Sequence, residues 1–190
     1  QGPVIPYRIR LGYTFNEKNH IFALYAPLGI DYKGTANRDI NFQSSVFEQG
    51  QALDGFYKFN SYRLTYRRDI ISSGNWLVGI GFTGKIRDAQ VRLANDQGLS
   101  DKKDDLGFVP LLHLYTAYDM GGENLIYFEG DGLAGGPGRA FDLFLGTKLP
   151  LNDHIAVKAG YRFLEGGANV DEVYNFTLVQ FAVAGLFIQL

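Results

Sequence analysis

Apolar and polar residues alternate with a period of two along most of this chain, the spacing of strands whose two faces meet different surroundings. Residues 7–15 set the pattern, with Tyr7, Ile9, Leu11, Tyr13 and Phe15 on one face and Arg8, Arg10, Gly12 and Thr14 on the other. Residues 20–33 place Phe22, Leu24, Ala26, Leu28, Ile30 and Tyr32 together, and Pro27 predicts a bulge or an irregular ladder position there. The period returns at 57–70, where Tyr62, Leu64 and Tyr66 oppose Ser61, Arg63, Thr65 and Arg67. At 76–93, Trp76, Val78, Ile80 and Phe82 oppose Gly79, Gly81, Thr83, Lys85 and Arg87. Residues 108–118 set Leu112, Leu114, Thr116 and Tyr118 against Leu111, His113, Tyr115 and Ala117, and 125–134 carry Glu129 and Asp131 opposite Phe128 and Gly130. Strands at 141–149, 155–164 and 174–190 complete the series, and the last is the most apolar, with no Pro and no charge.

Short turns rich in Asn, Asp, Ser and Gly fall at 16–19, 72–75, 119–124 and 150–153. Longer segments fall at 35–55, 95–105, 135–138 and 165–171, with a hairpin expected around 40–47. About nine strands of roughly ten or more residues result, and no helix-period segment competes. The expected fold is all-β, an antiparallel up-and-down β-barrel in one domain over residues 1–190. An odd number of strands does not close by antiparallel pairing alone. A tenth strand is therefore expected in the full protein, ahead of Gln1 or supplied by another chain.

Two kinds of barrel share this rhythm, and the polar face separates them. A lipocalin-like barrel in water would carry Lys, Glu and Gln at most outward positions. Here the polar face mixes Gly12, Gly79, Gly81, Gly146 and Gly160 with Arg63, Lys85, Arg87, Glu129, Asp131, Lys148 and Arg162. Small residues beside long ones suit a narrow polar interior that fills with side chains. Aromatic residues near strand ends on the apolar face (Tyr13, Phe15, Tyr32, Trp76, Tyr118, Phe141) suit the girdle of a membrane barrel. Aromatics reach 15% of the chain while mean hydropathy is only -0.10, as expected when alternate residues alone face lipid. The reading is a transmembrane barrel, whose tilted strands need about 9–11 residues to cross.

Composition narrows the chemistry. There is no Cys, which removes disulfides, thiol catalysis and thiolate metal sites, and a net charge of -2 argues against a nucleic-acid partner. No signal-peptide pattern is legible in the first residues. The acidic run at 101–105 lacks the EF-hand spacing, and 135–138 lacks the Lys-Ser/Thr and the helix of a phosphate loop, so neither metal nor cofactor is expected. His113 lies on the polar face, and a hairpin turning near Gly121 and Gly122 sets it across from Glu129 or Asp131. A His beside a carboxylate is half of a general-base arrangement, with Ser61 as a candidate nucleophile on the same face. A structural hydrogen bond in the lumen is the simpler expectation. The mixed-sign charges Arg63, Lys85, Arg87, His113, Glu129, Asp131, Lys148 and Arg162 are expected to pair across the lumen and plug it. His20 and His154 sit at turns with no partner legible.

The chain's end, Gly185 followed by Ile188 and Leu190, resembles the C-terminal assembly signal of bacterial outer-membrane barrels, with Leu190 where an aromatic is usual. SYRLTYR (61–67), GIGFTGKIRDAQVRL (79–93), GFVPLLHLY (107–115), GDGLAGGPGRAFD (130–142) and AGYRFLEGGANVDEVYNF (159–176) are similar to an uncharacterised family of bacterial outer-membrane β-barrel proteins. The resemblance covers nearly the whole chain and implies the fold and the location, with no activity attached. The expected role is a structural or interaction module of the bacterial outer membrane, a subunit of a larger assembly. Its expected partners are the lipid bilayer with its lipopolysaccharide, the outer-membrane assembly machinery and other outer-membrane proteins. The alternatives are a small pore for polar solutes and a lipid-modifying enzyme.

Overall fold

A computed structural model describes residues 4–135, 138–170 and 173–190, and the side chains of 168–170 and 173–176 lie outside that description. Among the described residues there are twelve strands: β1 (Ile9–Phe15), β2 (Asn19–Ala26), β3 (Gly29–Thr35), β4 (Ile40–Phe42), β5 (Ser45–Phe47), β6 (Ala52–Ser73), β7 (Trp76–Asn95), β8 (Ser100–Asp119), β9 (Leu125–Gly135), β10 (Gly138–Pro150), β11 (Ile155–Val170) and β12 (Val173–Ile188). One antiparallel sheet follows the order β1-β2-β6-β7-β8-β9-β10-β11-β12, with β3 also paired to β6, and β4 and β5 form a separate hairpin. The sheet is thus nine strands wide, as the alternation predicts. β2 and β3 are the single strand read at 20–33, broken at Pro27, which has no N–H to give a ladder. Leu28 closes the gap: its N–H donates to Asn60 Oδ1 at 3.3 Å and its carbonyl accepts from Phe59 N at 2.8 Å.

The four short turns stand where the sequence places them. Two of the longer segments are corrected. Residues 100–105, read as loop, belong to β8, and residues 165–170 belong to β11. The connection between β7 and β8 shrinks to a turn after Asn95, whose Oδ1 accepts from Gln97 N at 3.2 Å and Leu99 N at 2.8 Å. The physical reason is that both faces are polar there, so alternation in hydropathy fades while the ladder continues. Cross-strand pairs such as Arg87 with Asp105 at 2.5 Å, and Gln90 with Asp104, supply the side-chain contacts instead. Of the loop read at 135–138, Gly135 and Gly138 are strand ends and 136–137 lie outside the described residues, as does Asp171 of the segment read at 165–171.

Contacts divide the chain into two compact units. The first comprises Gln1–Leu11, Ala23–Leu64 and Lys85–Val109. Its apolar cluster centres on Phe47, which is fully buried against Ala36 and Leu53 with Ile40, Phe42 and Leu93 around them. The β4–β5 hairpin supplies much of that cluster. It is tied down by Ser44, whose N–H and hydroxyl both donate to Asp101 Oδ2 at 2.9 Å and hold that carboxyl below its ordinary pKa.

The second unit comprises Gly12–Phe22, Thr65–Gly84 and Pro110–Leu190, and it contains the short turns. Backbone bonds of 2.8 Å link three of the four turns to a neighbouring strand end: Asp69 N to Lys18 O, Asp119 N to Asn75 O, and Gln189 N to His154 O. Its apolar cluster joins Ala117, Tyr127 and Phe144, with Leu77, Tyr115 and Val183 packed on them. Phe144 reaches over the cross-strand pair Gly146 and Gly160 with its ring tip, Cζ. A Cβ on Gly146 would stand 2.5 Å from the Phe144 ring and 2.3 Å from Ala159 O, so only glycine admits the ring.

Burial is inverted relative to a protein folded around an oily core. On β6, Ser61, Arg63, Thr65, Arg67 and Asp69 are buried while Tyr62, Leu64 and Ile70 are exposed. On β7, Thr83 and Lys85 are buried while Ile80, Phe82 and Ile86 are exposed. On β8, His113 is 4% exposed and its neighbour Leu112 is 66% exposed. Charged residues are rarely fully buried in ordinary domains, and here Arg63, Arg67, Asp69, Lys85, Asp142 and Arg162 all are.

The β1–β2 turn spans residues 16–18, with positive φ at both Asn16 (52°) and Glu17 (57°) and Lys18 N donating to Asn16 O at 2.6 Å. A residue with a Cβ is strained at such a φ, and glycine is not. Glu17→Gly is expected to stabilise the protein by about 0.5–1 kcal/mol. The urea midpoint checks this; a lower midpoint would contradict strain at Glu17.

Candidate functional site

The buried polar face of the second unit holds a connected chain of hydrogen bonds. Thr83 Oγ1 donates to Asp131 Oδ1 at 2.7 Å, and Thr65 Oγ1 lies 2.7 Å from Thr83 Oγ1. Thr83 has one hydroxyl proton and commits it to the carboxylate, so Thr65 is the donor to Thr83. His113 Nδ1 stands 2.8 Å from the same Asp131 oxygen and therefore carries a proton. His113 and Asp131 are direct cross-strand partners, as are Tyr115 and Glu129. His113 Nε2 lies 3.9 Å from Glu129 Oε1, beyond hydrogen-bond range. The hairpin thus brings His113, Glu129 and Asp131 together on the polar face, and of the two partners the sequence allows for His113 the ladder takes Asp131.

A second network surrounds Arg67. Its guanidinium lies 4.1 Å from the Tyr115 ring centroid and 5.4 Å from that of Phe22, and Nε is 3.0 Å from Asp69 Oδ1. Asp69 Oδ2 accepts from His20 Nε2 at 2.8 Å, and His20 Nδ1 is 2.8 Å from Thr14 Oγ1. His20 therefore has partners that its place at a turn did not reveal. Arg67 starts on β6 and reaches Tyr115 on β8 by crossing β7 at Gly79. A Cβ on Gly79 would stand 2.6 Å from Asp69 Oδ1 and 2.8 Å from Arg67 Cδ. Glycine there makes the bed for a long cation and its carboxylate.

Cations and rings continue toward β12. Arg162 pairs with Asp142 at 2.5 Å, both buried, and its guanidinium lies 5.2 Å from the Phe144 centroid. Lys158 Nζ lies 5.5 Å from the Phe144 centroid and 5.3 Å from that of Phe187, and Lys148 Nζ lies 5.5 Å from Phe187. Arg139 pairs with Glu165 further along the β10–β11 ladder.

In the first unit, Arg63 Nε donates to Ser61 Oγ at 2.9 Å. Lys85 Nζ lies 4.8 Å from the Phe59 centroid, and Lys58 pairs with Asp88 at 2.7 Å. The charged residues singled out from sequence thus fall into two groups: Arg63, Lys85 and Arg87 in the first unit, and His113, Glu129, Asp131, Lys148 and Arg162 in the second. Asp69, Asp142 and the Thr65–Thr83 relay were missed. Extending the β6 face by two residues past Arg67 would have found Asp69. Of the C-terminal signal, Ile188 and Leu190 are exposed, whereas Gly185 is on the opposite face beside Lys158.

Chemically, these arrangements fix charge. Carboxylates meet hydroxyl, imidazole and guanidinium donors, and cations rest on ring faces. Comparison with protein-family models, curated proteins and solved structures finds no match.

Thr83→Val keeps the side-chain shape and removes the hydroxyl between Thr65 and Asp131. The expected cost is about 1–3 kcal/mol. In a double-mutant cycle with Asp131→Ala the losses are expected to be non-additive by about 0.5–3 kcal/mol. Strict additivity in urea unfolding would contradict a shared network.

Proposed function

We propose that this chain is an integral β-barrel protein of the bacterial outer membrane with a filled lumen, acting as a structural or interaction module within a larger envelope assembly. The observation that carries the reading is the inverted burial: charged and hydroxylic residues inside, Leu, Ile, Phe and Tyr outside, strand after strand. In water, such an apolar exterior would aggregate; in hydrocarbon it is the favourable solvent contact, and a sheet keeps its backbone bonds satisfied. β8 supports a boundary for the bilayer. Lys102, Lys103, Asp104 and Asp105 are exposed and charged, and from Leu106 onward Phe108, Leu112 and Leu114 are exposed and apolar. β6, β7 and β8 run 22, 20 and 20 residues, well beyond the ~9–11 that a tilted strand needs, so their charged ends extend past the membrane. At the short-turn end, exposed Trp76 packs edge-on to Tyr118 at 5.0 Å, as an interfacial aromatic belt would.

The filled lumen is favoured by the paired charges and by the cluster of Ala117, Tyr127, Phe144, Leu77 and Val183, which puts apolar bulk on the inner face. Mixed-sign lining charges favour the pore as the second reading. A lipid-acting enzyme suits the geometry less well, because His113 faces the buried side while acyl chains would meet the exposed one.

Trp76 is the only tryptophan, which makes the reading testable without labelling. In phospholipid vesicles its emission is expected to shift to the blue and to be quenched by brominated acyl chains. Unquenched, red-shifted emission from a protein that stays monodisperse without detergent would sink the membrane reading. In planar bilayers the pure protein is expected to be silent; steady conductance steps would replace the filled lumen by the pore.

A further inference from the structure

Two histidines of the second unit are bound to carboxylates, and their other nitrogens end differently. His113 gives its Nδ1 proton to Asp131, and its Nε2 is buried with no hydrogen-bond partner among the described residues. His20 is engaged at both nitrogens: Nε2 lies 2.8 Å from Asp69 Oδ2, and Nδ1 lies 2.8 Å from Thr14 Oγ1. An ionised carboxylate only accepts, so Nε2 carries the proton. In the neutral ring Nδ1 then accepts, and the Thr14 hydroxyl donates to it. The chain of bonds runs from hydroxyl to imidazole to carboxylate, the order in which a base-activated nucleophile is built.

The surroundings fit that order. The His20 and Asp69 side chains are 12% and 6% exposed, so the base and its carboxylate are shielded, while Thr14 is exposed. Asp69 is fixed from its other side by Arg67, whose Nε is 3.0 Å from Oδ1. The His20 ring lies parallel to that of Phe22, tilted by 3° with centroids 5.9 Å apart, which holds its plane. Gly12 precedes Thr14 by two residues on the same face, and a Cβ there would stand 2.8 Å from Phe22 Cδ1. Glycine leaves the strand bare beside the hydroxyl, with the Phe22 ring as the adjoining apolar surface.

We propose that Thr14, His20 and Asp69 form an ester-cleaving site on the polar face beside the β1–β2 turn, taking carboxylic esters whose short acyl group rests on Phe22. Thr14 and His20 are the catalytic residues; Asp69 and Arg67 position the imidazole. Thr14 Oγ attacks the carbonyl carbon as its proton passes to His20 Nδ1. The bond from that carbon to the alcohol oxygen breaks, and the departing alkoxide takes the proton. Water then attacks the acyl-threonine with His20 again as base, which releases the carboxylic acid and restores the hydroxyl. Water is the only co-reactant. The site goes beyond the scaffold role and does not depend on a bilayer, since every group in it belongs to the second unit.

Two probes test this on the purified full chain. A fluorophosphonate forms a P–O bond at an activated hydroxyl and loses fluoride, and peptide mass spectrometry maps the adduct. Release of p-nitrophenol from p-nitrophenyl acetate follows turnover. The expected result is an adduct at Thr14, and turnover that Thr14→Val removes and Thr14→Ser restores. Thr14 is exposed, so its replacement reports on chemistry rather than unfolding. His20→Gln is expected to slow adduct formation at Thr14 by about 10²–10⁴-fold, the contribution of a general base. Asp69→Asn is expected to lower kcat and leave KM nearly unchanged, the pattern of a residue that acts through the imidazole. No adduct at Thr14, turnover untouched by Thr14→Val, or equal labelling of His20→Gln and the unaltered chain overturns the proposal. A change in KM alone overturns the role of Asp69.

Discussion

A charge taken out of water must be paired, and the inner face of this sheet is organised by that demand. Asp142 and Arg162 are both buried and meet at 2.5 Å, each supplying the counter-charge that the other's burial demands. Arg67 meets the same demand with two ring faces and Asp69, and Asp131 meets it with a hydroxyl and an imidazole. Pairing of this kind reaches sideways along the sheet. It therefore dictates what the intervening strand carries. Gly79 is small because Arg67 and Asp69 lie over it, and Gly146 and Gly160 are small because Phe144, the ring beneath Arg162 and Lys158, lies over them.

The same demand sets the outer face. Once the polar side chains of alternate positions turn inward, the residues between them turn outward, and those are Leu, Ile, Phe and Tyr. Alternation leaves no third choice in a strand. The inner network and the apolar exterior are two consequences of one pattern, and a change that broke the inner pairs would not leave the outer face a neutral bystander. Functionally, the buried groups are engaged with one another. On the proposed function that is the chemistry of a scaffold, with the exposed surface and the charged strand ends as its contacts with lipid and partners.

Much of the fold was legible because its information is local. Period-two alternation names the faces, and Asn16, Gly74 and Gly121 mark turns that the chain does make. His113 opposite Glu129 or Asp131 was legible too, since the hairpin limits the register of its two strands, and the ladder pairs it with Asp131. What escaped is non-local or uniformly polar. His20 and Asp69 are 49 residues apart and Thr83 and Asp131 are 48 apart, on strands whose relative register no short pattern records. Residues 100–105 escaped for the opposite reason: with charge on both faces, a paired strand and a solvated loop look alike in sequence.

The central claim is that the exposed apolar face lies in hydrocarbon. Nitroxide labels on Leu64, Phe82, Leu112 and Leu114, one at a time, in protein reconstituted into lipid vesicles, read this directly. Oxygen partitions into bilayers and a water-soluble nickel chelate does not. The account predicts strong relaxation by oxygen and almost none by the chelate at all four positions. Strong relaxation by the chelate at these sites would contradict it.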